Sequence, residues 1–166
     1  MVDKTTKLIF IGALTLLVFL ITSYAAFKPN LNIAGTANLT GSFSTKITNV
    51  VSKNIQGNAS NNGDPTFNDT TATFKTNLIS PGDSIDYDVT ITNDGNLNAQ
   101  LAKLTLTASD NPAIVFTTSG LTEGDIILAG HTAVLTVNVT YNNAITTQPD
   151  STLSNLTITL DYIQAK

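Results

Sequence analysis

The chain has 166 residues, a net charge of −4 at pH 7, one histidine and no cysteine. The missing cysteines exclude a disulfide scaffold, a thiolate zinc site and a cysteine nucleophile, and the single histidine excludes a two-histidine metal site. All eight basic residues are lysines, too few to form the basic face that nucleic-acid binding requires. We therefore expect no nucleic-acid partner, no cofactor and no enzymatic activity.

An uncharged, mostly apolar stretch runs from Leu8 to Phe27, behind Lys4 and Lys7. Twenty helical residues span about 30 Å, the thickness of the hydrocarbon core of a bilayer. The sequence thus predicts a membrane helix over residues 8–27. Because lysines before such a helix keep the N-terminus in the cytoplasm, the rest of the chain is expected outside the cell, at its surface.

Two fates of this helix remain open. Ser23 and Ala25 place small residues where signal peptidase requires them, with cleavage between Ala25 and Ala26. The alternative is an uncleaved helix that anchors the chain in the membrane. Residues 1–27 are accordingly interpreted as a signal peptide or membrane anchor, and residues 28–166 as one extracellular domain.

Beyond Lys28 the pattern is alternation of apolar and polar residues, which is typical of half-buried strands. The clearest strands are residues 84–91, 132–141 and 156–162, and further strands are predicted at 31–39, 43–51, 71–78, 97–108, 113–116 and 126–128. Within residues 97–108 the apolar side chains change from odd-numbered to even-numbered positions, which predicts a β-bulge near Ala102 and Lys103. The pattern of residues 81–91 recurs at 129–139, which predicts comparable strands in two halves of the fold.

Strands with one apolar and one polar face pack in pairs of antiparallel sheets. Eight or nine short strands predict an all-β class, a single Ig-like antiparallel β-sandwich after the N-terminal helix, with a jelly roll as the nearest alternative. Residues 52–69, rich in Asn, Gly and Ser, are predicted to be a long surface loop.

Three short stretches resemble the TasA/camelysin family of secreted surface proteins. They are the junction at residues 24–27 followed by 34–37, the turn at 78–83 that leads into a strand closed at 93–95, and the final strand at 160–164. The resemblance implies an extracellular β-sandwich subunit of the biofilm-fibre type. It also implies cleavage by a dedicated signal peptidase and polymerisation by donor-strand exchange.

Residues 31–39 are the candidate donor strand. Leu31, Ile33, Ala37 and Leu39 share one face of an extended, uncharged segment that could fill an open groove in a neighbouring sandwich. The alternative is that this segment is the first strand of its own domain.

Three carboxylates, Asp83, Asp86 and Asp88, are weak candidates for a Ca²⁺ site because they lie close together near a turn. The alternative is a solvated acidic face that discourages aggregation. Among the Asn-x-Ser/Thr sequons, Asn58 and Asn68 in the predicted loop are the candidate glycosylation sites.

The function predicted from these features is an exported structural or adhesive subunit of the cell surface that could assemble into fibres. A monomeric, membrane-tethered binding module that recognises a ligand through residues 52–69 is the first alternative. A pilin-like filament subunit, whose apolar helices would bundle in the filament core, is a weaker one.

Overall fold

The computed structural model describes residues 3–26, 40–108, 111–146 and 153–166, without the side chains of residues 19–26, 108, 153 and 154. It divides into two compact units, residues 1–39 and 40–166. The candidate donor strand at residues 31–39 lies outside the described residues.

The first unit contains one α-helix, α1, over Lys4–Ala26. Asp3 precedes it, accepting a backbone hydrogen bond from Lys7 at 3.2 Å and a side-chain bond from Thr5 at 3.1 Å, which suits an acidic residue at the positive end of a helix. Within the described residues, no helix is both long and apolar enough to cross a membrane.

The second unit is a sandwich of two antiparallel sheets, as predicted for the all-β class. Its strands are β1 (Thr45–Gln56), β2 (Ser60–Asn61), β3 (Thr66–Phe67), β4 (Thr71–Asn77), β5 (Ser84–Asn93), β6 (Ala99–Ala108), β7 (Ile114–Ser119), β8 (Ile126–Ile127), β9 (Thr132–Tyr141) and β10 (Leu153–Gln164). The four-stranded sheet has the order β1-β5-β9-β7. The six-stranded sheet has the order β2-β4-β10-β6-β8, with β3 also paired to β4.

Alternation builds the core as expected. Every second residue of β5 is buried, and its apolar members lie in the same core as those of β9, β4 and β10. The rings of Phe74 and Tyr87 pack together across the two sheets with centroids 4.5 Å apart. The predicted bulge is confirmed, because Lys103 pairs with Asp161 and Leu101 with Tyr162, leaving Ala102 as the extra residue.

Two predictions about local structure are wrong. Residues 52–69 are not one loop, since β1 continues to Gln56 and both β2 and β3 follow. A register shift between Lys53 and Gln56 and the positive φ of Asn54 (49°) break the alternation that would have revealed this end of β1. The similar segments at 81–91 and 129–139 are not comparable strands of two halves, because β5 and β9 pair directly within one sheet.

The outer face of the six-stranded sheet carries threonines in register across four strands. One row is Thr66, Thr73, Thr157 and Thr107, and the next is Thr71, Thr159 and Thr105. The hydroxyls of Thr73 and Thr157 are hydrogen-bonded at 3.1 Å. β-Branched side chains favour the extended backbone and pack well across strands, so these two rows of threonines stabilise the sheet.

Candidate functional site

The two flanks of the sandwich differ. On one flank β1 contacts β3 and β4, the Ile47 N–H donates to the Asp69 carbonyl at 2.8 Å, and the Asn61 side chain donates to the Ser52 hydroxyl at 2.8 Å. These bonds join the edges of the two sheets. The opposite flank is formed by β7 of one sheet and by β6 and β8 of the other.

The position beside β6 on this second flank is only partly filled. β8 pairs with Ala99 and Gln100 alone, and the loop before β8 exchanges backbone bonds with Leu101 through Gly124 (2.8 Å) and Asp125 (3.0 Å). Beyond this loop, no described strand lies beside residues 104–108 on the side away from β10. We call residues 104–108 of β6 the open edge.

The pairing of β6 with β10 shows which residues of the open edge direct their backbone N–H and C=O groups outward. The Leu160 N–H donates to Thr70, away from β6, so the facing residue Leu104 directs its own N–H and C=O away from β10. Leu106 has the same orientation because backbone groups alternate along a strand. Within the described residues, the outward backbone groups of Leu106 have no hydrogen-bond partner.

Apolar side chains on the inner side of this flank are incompletely covered. Leu104 and Phe116 pack against the core but are only half-buried, and Leu106 is 38% exposed. Apolar side chains in the middle of the sheets, such as that of Ile158 in β10, are fully buried. Among the residues that the structure describes, this flank therefore combines unpaired backbone groups with uncovered apolar side chains, which together fit an extended, amphipathic strand.

A glutamate side chain contacts the open edge. Glu123 accepts a hydrogen bond from the backbone N–H of Leu104 through Oε1 at 2.8 Å. Glu123 is itself exposed and lies in the turn that precedes β8. A carboxylate that accepts the first outward amide of an edge strand satisfies a group that would otherwise bond water or another chain.

Asp83, the first of the three candidate calcium ligands, is a structural residue of the turn before β5. Its buried carboxylate accepts backbone hydrogen bonds from Ile79 (2.8 Å), Ser80 (2.9 Å) and Asn58 (3.0 Å). Burial by itself raises the pKa of Asp83, but the bonds from Asn58, Ser80 and Ile79 outweigh it and the pKa lies below its ordinary value. The carboxylate thus ties two chain segments together.

Asp86 and Asp88 lie on the outer face of the four-stranded sheet, where polar neighbours contact both. Asp86 accepts hydrogen bonds from the side-chain amides of Asn54 (2.8 Å) and Asn138 (2.7 Å). Asp88 pairs with the Lys53 ammonium and accepts a bond from a threonine hydroxyl. Burial acts to raise the pKa of Asp88, but the bonds to Lys53 and that hydroxyl hold it below its ordinary value.

The structure does not bring these three carboxylates together. In the part of the chain that it describes, no three acidic or histidine side chains form a group that could hold a metal ion. Asp83 faces its own turn, whereas Asp86 and Asp88 face the solvent side of the sheet.

The remaining predicted site residues have these positions. Ala25 and Ala26 are the last two residues of α1, so the proposed cleavage junction coincides with the end of the helix. The side chains of Asn58 and Asn68 are exposed. Asn68 Oδ1 accepts backbone hydrogen bonds from Thr70 (3.0 Å) and Thr71 (2.8 Å), which forms the turn into β4.

No family model, no curated protein and no solved structure matches the chain. The resemblance to the TasA/camelysin family therefore stays a prediction, carried by three short motifs.

Proposed function

We propose that the chain is an exported structural subunit of the cell surface that assembles by strand addition. In this proposal the segment at residues 31–39 of one copy pairs with the open edge of the next. Residues 1–25 act as the export signal, and cleavage before Ala26 frees the segment that pairs. The resemblance to the TasA/camelysin family implies the same mode of assembly.

The single observation that carries this proposal is the open edge itself. An added strand would pair with the outward backbone groups of Leu106, which have no partner among the described residues, and each hydrogen bond formed would contribute about 1 kcal/mol. The same strand would cover Leu104, Leu106 and Phe116, which the two sheets leave partly exposed. Burying apolar surface contributes about 25 cal/mol per Å², so the covered side chains add to the backbone pairing.

The chemistry of residues 31–39 matches this edge. Four apolar side chains of this segment are spaced two or four positions apart, so in an extended strand they would all face the uncovered apolar side chains of the open edge. They are Leu31, Ile33, Ala37 and Leu39. The segment has no charged residue, so pairing would bury no unpaired charge.

The test uses protein exported by its own signal and measures mass by analytical ultracentrifugation and shape by electron microscopy. Replacing Leu31 and Ile33 by Asn is expected to leave a folded monomer, because the apolar contacts to the neighbour are lost. The matched control changes Asn30 and Asn32, on the other face, to Ser and is expected to assemble like the unmodified protein.

Two results would overturn the proposal. One is a protein with an intact mature N-terminus that stays monomeric at every concentration, which would favour the binding-module alternative. The other is assembly that the change of Leu31 and Ile33 leaves untouched, which would show that a different surface joins the copies.

A further inference from the structure

We propose that Glu123 controls access to the open edge, as an autoinhibitory contact that an incoming strand must displace. This inference rests on the proposed function. Glu123 Oε1 lies 2.8 Å from the Leu104 nitrogen, in the place that the backbone carbonyl of an added strand would take. The two acceptors therefore compete for one amide hydrogen.

The turn that carries Glu123 holds it at this place. The N–H of Asp125 donates to the Thr122 carbonyl at 3.1 Å, and the Asp125 carboxylate accepts bonds from the Thr122 N–H (2.7 Å) and hydroxyl (2.9 Å). Gly124 takes a φ of +98°, which a residue with a side chain rarely adopts. The Gly124 N–H donates to the Leu101 carbonyl and the Leu101 N–H donates to the Asp125 carbonyl, and these two bonds fasten the same turn to β6.

The residue type at this position sets it apart from the rest of the chain. Glu123 is the only glutamate, and the other eleven acidic residues are aspartates. A glutamate side chain has one methylene more than an aspartate and reaches a backbone amide on the neighbouring strand.

Two effects of Glu123 oppose strand addition. Its carboxylate is a stronger acceptor for the Leu104 amide than the carbonyl that would replace it. Its negative charge also repels the carbonyl oxygens of an approaching strand. Because Glu123 is exposed, solvent weakens both effects, and we expect its removal to speed assembly by roughly tenfold rather than by many orders of magnitude.

The experiment compares the assembly rates of exported wild-type protein, Glu123→Ala and Glu123→Gln, followed by light scattering from the same monomer concentration. The matched control is Asp64→Asn, which removes one negative charge from an exposed loop position away from β6. We expect Glu123→Ala to assemble roughly tenfold faster, Glu123→Gln to lie between it and wild type, and Asp64→Asn to match wild type.

A second measurement reports on the contact without requiring assembly. Amide hydrogen exchange of Leu104 is measured in the monomeric double variant Leu31→Asn, Ile33→Asn. We expect Glu123→Ala to raise the exchange rate at Leu104 while the rates at the centre of β5 stay unchanged.

The outcomes separate this inference from the proposed function. If wild type assembles and Glu123→Ala assembles no faster, the role of Glu123 is refuted and the proposed function stands. Unchanged exchange at Leu104 in Glu123→Ala refutes it as well. If neither wild type nor Glu123→Ala assembles, the proposed function fails and the inference fails with it.

Discussion

Replacing Asp83 by Ala should destabilise the sandwich more than any other single carboxylate change. The Asp83 side chain is 3% exposed, and its two oxygens accept three backbone hydrogen bonds from Ile79, Ser80 and Asn58. The substitution leaves these three N–H groups without the carboxylate that accepts their hydrogen bonds. Leaving a buried donor unsatisfied costs about 1–3 kcal/mol, so the expected loss in free energy of unfolding is about 3–5 kcal/mol.

The assay is urea and thermal denaturation at concentrations where the protein is monomeric. Asp83→Asn is the intermediate case, because the amide oxygen can still accept a backbone hydrogen bond whereas the NH₂ group cannot. We therefore expect Asp83→Asn to lose about half as much free energy of unfolding as Asp83→Ala. Asp64→Ala, at an exposed loop position, is the control and should change stability by less than about 0.5 kcal/mol. A loss below about 1 kcal/mol for Asp83→Ala would show that the turn does not depend on this carboxylate.

Three further predictions concern pH, the core and the open edge. The pKa values of Asp83 and Asp88 lie below the ordinary 3.8, so the two carboxylates stabilise the fold fully above pH 3.8. This stabilisation is lost as the pH falls through the lower pKa values of the folded state. Acid denaturation curves should therefore show a loss in the free energy of unfolding, and Asp83→Asn should make that loss smaller. Tyr87→Phe removes hydroxyl bonds to Thr76 (2.9 Å) and Asn61 (2.6 Å) and should cost about 1–2 kcal/mol by urea denaturation. Leu106→Asp should abolish assembly in ultracentrifugation without unfolding the monomer, whereas an unchanged assembly would show that the open edge is not the joining surface.

Regular strands could be predicted from the sequence because their side chains alternate without interruption. β9 begins and ends at the predicted residues. In β6, the change of the apolar residues from odd to even positions correctly indicated the bulge at Ala102. The second half of β1 could not be predicted, since its register shift between Lys53 and Gln56 and the left-handed backbone of Asn54 remove the two-residue period. Local pattern is therefore informative only where a strand is regular.

The candidate site could not be predicted, because it depends on which strands lie side by side. The sequence did indicate a short strand near Ile126, but nothing local shows that it pairs with only the first two residues of β6. Asp83 was recognisable as a turn residue, yet its three backbone partners come from two separate segments of the chain. Glu123 offered one signal, as the only glutamate beside eleven aspartates.

Amide hydrogen exchange at Leu106 tests the central claim most directly, because this residue has outward backbone groups without a described partner. The rate is measured in the monomer and in the assembled protein from the same preparation. Strand addition predicts fast exchange in the monomer and strong protection after assembly. Equal exchange rates in the two forms would contradict it.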